Sequence, residues 1–129
     1  MLLVKTKLAA SSIHGIGLFA DEEIAAGTEV WRFVKGFDLD LTPEELADLP
    51  AHIREWLADH FGYLDYHFNR YILPVDDARF INHSDHPNIS PDYSLDSYGV
   101  DLSLRDIAKN EEITTDYKTF EIDNWLPTT

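Results

Sequence analysis

Cysteine is absent from the chain, which excludes disulfides and cysteine-ligated zinc and leaves packing as the source of stability. A chain without cysteine suits the reducing interior of a cell, so an intracellular, cytoplasmic location is expected. Basic residues are scarce: 10 Lys and Arg stand against 24 Asp and Glu, a formal net charge of −14. That field repels nucleic acid and steers cationic partners inward, although it also serves solubility. Long apolar runs are missing too, and nothing approaches the length needed to cross a bilayer. The start, MLLVKTKLAA, interrupts its apolar residues with two lysines and reads as a first strand rather than a signal peptide. No linker or low-complexity stretch divides the 129 residues, so a single domain over 1–129 is expected. Its 44% hydrophobic and 12% aromatic content is too high for a disordered chain.

Two stretches echo one another. IAAGTEV, residues 24–30, and IAKNEEI, residues 107–113, share the pattern Ile-Ala-x-Gly/Asn-x-Glu-Val/Ile. Gly27 and Asn110 both accept positive φ, so each stretch reads as a tight hairpin turn between two strands. Between them lies a short helical insert. Thr42-Pro43-Glu44-Glu45 forms a capping box with Pro at the first helical position. A second helix is predicted over 51–60, with Ile53, Trp56, Leu57 and His60 or Phe61 at helical spacing and Gly62 ending it. YLDYHFNRYILP is rich in β-formers, and SPDYSLDSYGVDLSLRDI reads as strand, loop and strand with the turn at Ser94–Gly99.

Three stretches carry chemistry. HGIGLFA, residues 14–20, places a Gly-x-Gly where backbone can approach a ligand, yet it lacks the third glycine and following helix of a dinucleotide fingerprint. Alone, it reads first as a tight turn. RFINHSDHPN, residues 79–88, packs Asn82, His83, Ser84 and Asp85 into a polar run that fits a turn closed by Pro87. His83, Asp85 and His86 are also nitrogen and oxygen ligands, but zinc recruits further ligands from a separate element, and His14, His52, His60 and His67 show no spacing that demands it. No metal is expected. NEEITTDY, residues 110–117, ends a strand in Tyr117, which alone reads as a half-buried core tyrosine.

In this order and spacing the three stretches resemble the SET domain family of protein lysine methyltransferases. The likeness spans residues 13–117 and is greatest to the minimal SET proteins of viruses and bacteria, which lack flanking zinc domains. The fold it implies is mainly β with a short helical insert, a SET (β-clip) fold of small sheets whose C-terminal segment is threaded as a pseudoknot. The activity it implies is methyl transfer from S-adenosylmethionine to a lysine of a basic protein such as a histone or ribosomal protein. Gly15, Ile16, Gly17, Asn82 and His83 would then bind cofactor, Tyr117 would be catalytic, and Tyr66, Thr115 and Tyr117 would line the substrate channel. Trp125, or Phe120, would stack on the adenine, and residues 118–129 would form a tail over cofactor or substrate.

The chain departs from the family pattern in three places. Thr115 stands where a Phe or Tyr often limits the number of methyl groups, so extra room favours higher methylation. Val34 and Lys35 precede Gly36 where a tyrosine is often found, and the Cys-rich cofactor-covering tail of many relatives is absent. The partners implied are a basic protein and, from the minimal relatives, a homodimer, with no direct nucleic-acid or membrane binding. A nuclear location is implied for a eukaryotic or viral source. A catalytically idle SET-like module that binds basic peptides is the alternative, and a small carbohydrate- or peptide-binding domain without cofactor is a third reading.

Overall fold

The computed structural model describes residues 1–60, 62–67 and 69–121. Strands β1 (Thr6–Ala10) and β2 (Ile16–Ala20) form an antiparallel hairpin in which Ala10 faces Ile16. They are followed by β3 (Glu29–Arg32), β4 (Leu39–Leu41), helices α1 (Pro43–Ala47) and α2 (Ala51–His60), and strands β5 (Tyr63–Asp65) and β6 (Arg70–Leu73). A 3-10 turn at Asp77–Phe80 leads into β7 (Asn82–His83), then β8 (Ile89–Asp92), β9 (Val100–Ser103) and β10 (Thr114–Thr115). Two three-stranded sheets, β3-β9-β8 and β4-β6-β5, flank the parallel pair β7-β10. The mainly β architecture with a helical insert is the expected one.

The helices form where the local chemistry directs. Thr42 Oγ1 accepts from the Glu45 N–H at 3.1 Å, and the Glu45 carboxylate accepts from the Thr42 N–H at 3.3 Å. The face that α2 buries differs from its apolar spacing. Trp56 is 47% exposed, whereas Arg54 is buried and donates to the carbonyls of Ala47 and Leu49 at 2.8 and 3.0 Å. Those carbonyls end the preceding helix without intrahelical partners, and a guanidinium satisfies two of them at once. Gly62 is needed for space, because a Cβ there would lie 2.1 Å from the Tyr71 hydroxyl. Tyr71 is fully buried against Leu46 and Leu57 and donates to the Leu57 carbonyl at 3.0 Å.

The two echoing stretches turn as expected, with Gly27 at φ 80° and Asn110 at φ 73°. They are not hairpins. Ile24 and Ile107 instead bridge each other, exchanging N–H···O bonds of 2.9 and 2.8 Å, so each turn passes its chain to a distant partner. Both isoleucines are buried in the main core with Leu18, Val30, Ile72, Ile89 and Ile113. Turn residues dictate only a local reversal of the chain; burial of these β-branched side chains decides which strands meet.

The C-terminal segment is gripped along both edges, as the expected pseudoknot requires. On one side Ala20 N donates to Glu111 O and Ile113 N to Leu18 O, at 2.9 and 2.8 Å. On the other, Thr114 and Thr115 pair in parallel with Asn82 and His83. Asn88, 2% exposed, staples the arrangement: its amide donates to Glu111 Oε2 at 2.9 Å and Glu112 O at 2.8 Å, and its carbonyl accepts from Thr114 N–H at 2.9 Å. Removing it orphans several buried groups at once. Asn88→Ala is therefore expected to lose roughly 2–4 kcal/mol of stability, read as a lower midpoint with unchanged slope in urea denaturation.

Candidate active site

Strand periodicity separates two sides of the polar run. Ile81 faces a cavity, whereas Asn82, the next residue, turns toward the Gly-x-Gly loop. The Asn82 amide donates to His14 O at 3.1 Å, to Ser11 Oγ at 3.2 Å and to Glu112 Oε2 at 2.9 Å, with a longer contact to Ile16 O at 3.5 Å. Its carbonyl oxygen has no partner among the described residues. Gly15 adopts φ 44°, a left-handed conformation that glycine accepts most readily. Gly17 is glycine for a different reason: a Cβ there would lie 2.5 Å from Glu112 Oε2. Glu112, which sequence reasoning passed over, thus fills the space beside Gly17 and ties Ser11 to Asn82. The Ile16 side chain remains 52% exposed.

On the other side lies a cavity of about 210 Å³. Tyr117, Thr115 and Ile81 stand on its wall with Trp31, Tyr63, Tyr93, Tyr98 and Asp101. The Tyr117 hydroxyl donates to the Ile81 carbonyl. Burial, with Glu121 adding to it, pushes that phenol up to about 12. Tyr117 therefore stays protonated near neutrality and can orient a polar group but cannot serve as an already ionised base. Its backbone N–H donates to His83 Nδ1 at 3.1 Å, which leaves the ring proton on Nε2, facing Asp85 Oδ1 at 3.0 Å. The His83 ring also packs edge-on against Tyr117, with centroids 5.3 Å apart. Its side chain thus positions the tyrosine and holds the Asp85 carboxyl below its usual range.

The remaining candidates fall in different places. Thr115 is buried on the cavity wall, and its hydroxyl has no partner among the described residues. Tyr66 is 47% exposed and does not line the cavity; it stacks on His67, which stacks on the cavity residue Tyr93 at 3.7 Å. Phe120 packs at the cavity against Tyr63 and Tyr117, and Trp125 lies outside the described residues. Val34 is also off the cavity, which three other tyrosines, Tyr63, Tyr93 and Tyr98, line instead. None of these three stood out in the sequence, because aromatic residues in short strands read equally well as core.

A SET domain profile matches residues 15–118. The chain belongs to the SET domain family. Its relatives include the H3 lysine-4-specific histone-lysine N-methyltransferases of Aspergillus fumigatus, 31% identical, and Chaetomium globosum, 33% identical, each over 87% of this chain. The chain spans 9% and 11% of their lengths. A putative histone-lysine N-methyltransferase of Plasmodium falciparum is 34% identical over 84% of this chain, and this chain covers 2% of it. Among solved structures, a Plasmodium falciparum putative histone methyltransferase superposes with a TM-score of 0.59 at 23% identity, over 98% of this chain and all of the other. A mutant of the Chaetomium thermophilum Polycomb Repressive Complex 2, solved with an inhibitor, matches over 91% of this chain and 15% of its own, at TM-score 0.61 and 22% identity. These solved structures share the SET fold.

Asp101 is a further residue that sequence reasoning did not single out. In β9 it alternates with the fully buried Val100, which would ordinarily place it on a solvated face. Here that face lines the cavity, where the residue is only partly exposed, and burial pushes the carboxyl up from 3.8 to about 7. The folded protein then holds a proton that the unfolded chain releases, so this group costs stability progressively as pH rises from about 4 to 7. Asp101→Asn is accordingly expected to be more stable than wild type by a few kcal/mol at pH 8, with the gain vanishing toward pH 4. Thermal melts across that range check it.

Proposed function

We propose that this chain is a protein-lysine N-methyltransferase that uses S-adenosylmethionine and acts on a basic protein, such as a histone. One observation carries the reading: the Ile81 carbonyl and Tyr117 hydroxyl at the cavity lie one residue from Asn82, which faces the Gly-x-Gly loop. A donor on the loop side and an acceptor on the cavity side would therefore meet at a single peptide unit. The residues present fit the cofactor. The free Asn82 carbonyl oxygen suits a ligand amino group, and Gly15, with nothing within 4 Å of where its Cβ would stand, lets a ligand approach the loop closely. Bound there, S-adenosylmethionine would supply the methyl group on its sulfonium.

The work left to the chain is alignment and exclusion of water, because displacement at a sulfonium needs no proton for its leaving group. The buried, protonated Tyr117 hydroxyl and the Ile81 carbonyl hold the amine end. Enclosure away from water favours the neutral amine by desolvation. His83 and the parallel β7-β10 pair keep Tyr117 in place. The substrate class follows from the net charge of −14, which attracts lysine- and arginine-rich segments. The relatives named above support the same class.

Calorimetry with S-adenosylmethionine and mass spectrometry of a histone panel test the proposal. Absence of cofactor binding removes it in favour of a domain without cofactor. Binding without turnover leaves a catalytically idle module that binds basic peptides. Tyr117→Phe is expected to lower kcat about a hundredfold while cofactor affinity changes little. Thr115→Phe, by filling the cavity beside Tyr117, is expected to shift products toward lower methylation in the mass spectrum.

A further inference from the structure

The cavity carries polar groups that the transfer step above does not use. Cross-strand pairing places Trp31, Asp101 and Pro91 side by side on β3, β9 and β8, and residues directly opposite one another point to the same face. All three line the cavity. The Trp31 indole N–H is buried and has no partner among the described residues. The Asp101 side chain likewise forms no hydrogen bond or ion pair among them. A half-buried carboxyl set among aromatic rings without a partner is costly, and such a cost is retained where a ligand supplies the partner. Around it stand the rings of Tyr63, Tyr93 and Tyr98, an aromatic surround that attracts a cation.

We propose that Asp101 is the specificity residue that receives the ammonium group of the incoming lysine, with the surrounding aromatic rings as a cation-binding wall. This rests on the lysine methyltransferase reading for its substrate, but not for its test. Carboxylate and N–H-bearing nitrogen are complementary, so an unmethylated or partly methylated lysine gains more than an apolar side chain of equal length. Asp101 adds its negative charge to the wall only when ionised, and its raised range makes that charge appear as pH rises through about 7. Other groups act on the same carboxyl. Tyr63 and Tyr93 feel its charge, the Met1 α-ammonium draws its range downward, and Arg79 and Glu121 stand on the same cavity.

The test compares a histone H3 tail peptide with its lysine-to-norleucine counterparts, by calorimetry on the intact chain with and without S-adenosylmethionine. Wild type is expected to bind the lysine form about tenfold more tightly at pH 8, with the preference shrinking toward pH 6. Asp101→Asn, nearly isosteric, is expected to lose most of that preference and its pH dependence while keeping cofactor affinity and a cooperative melt. Trp31→Phe, which keeps an aromatic ring beside Asp101, is expected to retain both. An Asp101→Asn protein with wild-type preference and pH dependence overturns the inference, as does a wild type that binds both peptides equally. A wild type that shows the Asp101-dependent preference but transfers no methyl group overturns the enzyme reading alone.

Discussion

The grip on residues 110–117 is the constraint on which the rest of the structure depends. This segment has too few residues to form a stable strand pair by itself. It is held because Leu18 and Ala20 bond one edge while Asn82, His83 and Asn88 hold the other. Each hydrogen bond contributes only about 0.5–1.5 kcal/mol net. Their joint effect is to bring to one peptide unit the Gly-x-Gly loop, which lies 66 and more residues before Asn82, and Glu112, 30 residues after it. Asn88 matters most among the side chains, since it satisfies both a carboxylate and two backbone groups in a place from which water is excluded.

From that grip the site follows. The Asn82 amide is shared between the Gly-x-Gly loop and Glu112, and Glu112 fits only because Gly17 has no Cβ. Tyr117 reaches Ile81 because β10 runs parallel to β7, and His83 then fixes the tyrosine backbone. The two sides of β7 acquire different characters for one geometric reason, the alternation of side chains along a strand. One side presents amide, carboxylate and open backbone; the other presents phenols, an indole and an acid on a half-enclosed wall.

Within the family, the cavity side is where this chain departs from the expected pattern. The tyrosine absent at Val34 has its counterpart in bulk in Tyr63, Tyr93 and Tyr98 on the cavity. Thr115 leaves room beside Tyr117, and Asp101 introduces a charge whose range is moved by burial. Enclosure and a carboxyl make opposite demands on a lysine nitrogen: desolvation favours the neutral amine, the carboxylate the ammonium. A carboxyl whose range is raised toward 7 changes which of these demands prevails as pH rises.

What the sequence determined by itself was local. The capping box at Thr42, the positive φ at Gly27 and Asn110, and the turn at Ser94–Gly99 were legible because each depends on a few consecutive residues. The three motifs were legible as a family likeness because their order and spacing are distinctive, although each alone reads as a turn or a core residue. Only the tertiary structure decided that Ile24 pairs with Ile107, that Arg54 rather than Trp56 turns inward, and that Tyr63, Tyr93 and Asp101 share a wall with Tyr117 while Tyr66 does not. Those outcomes depend on which faces are covered and which buried groups find partners, and both are properties of the assembled chain that no short window of residues contains.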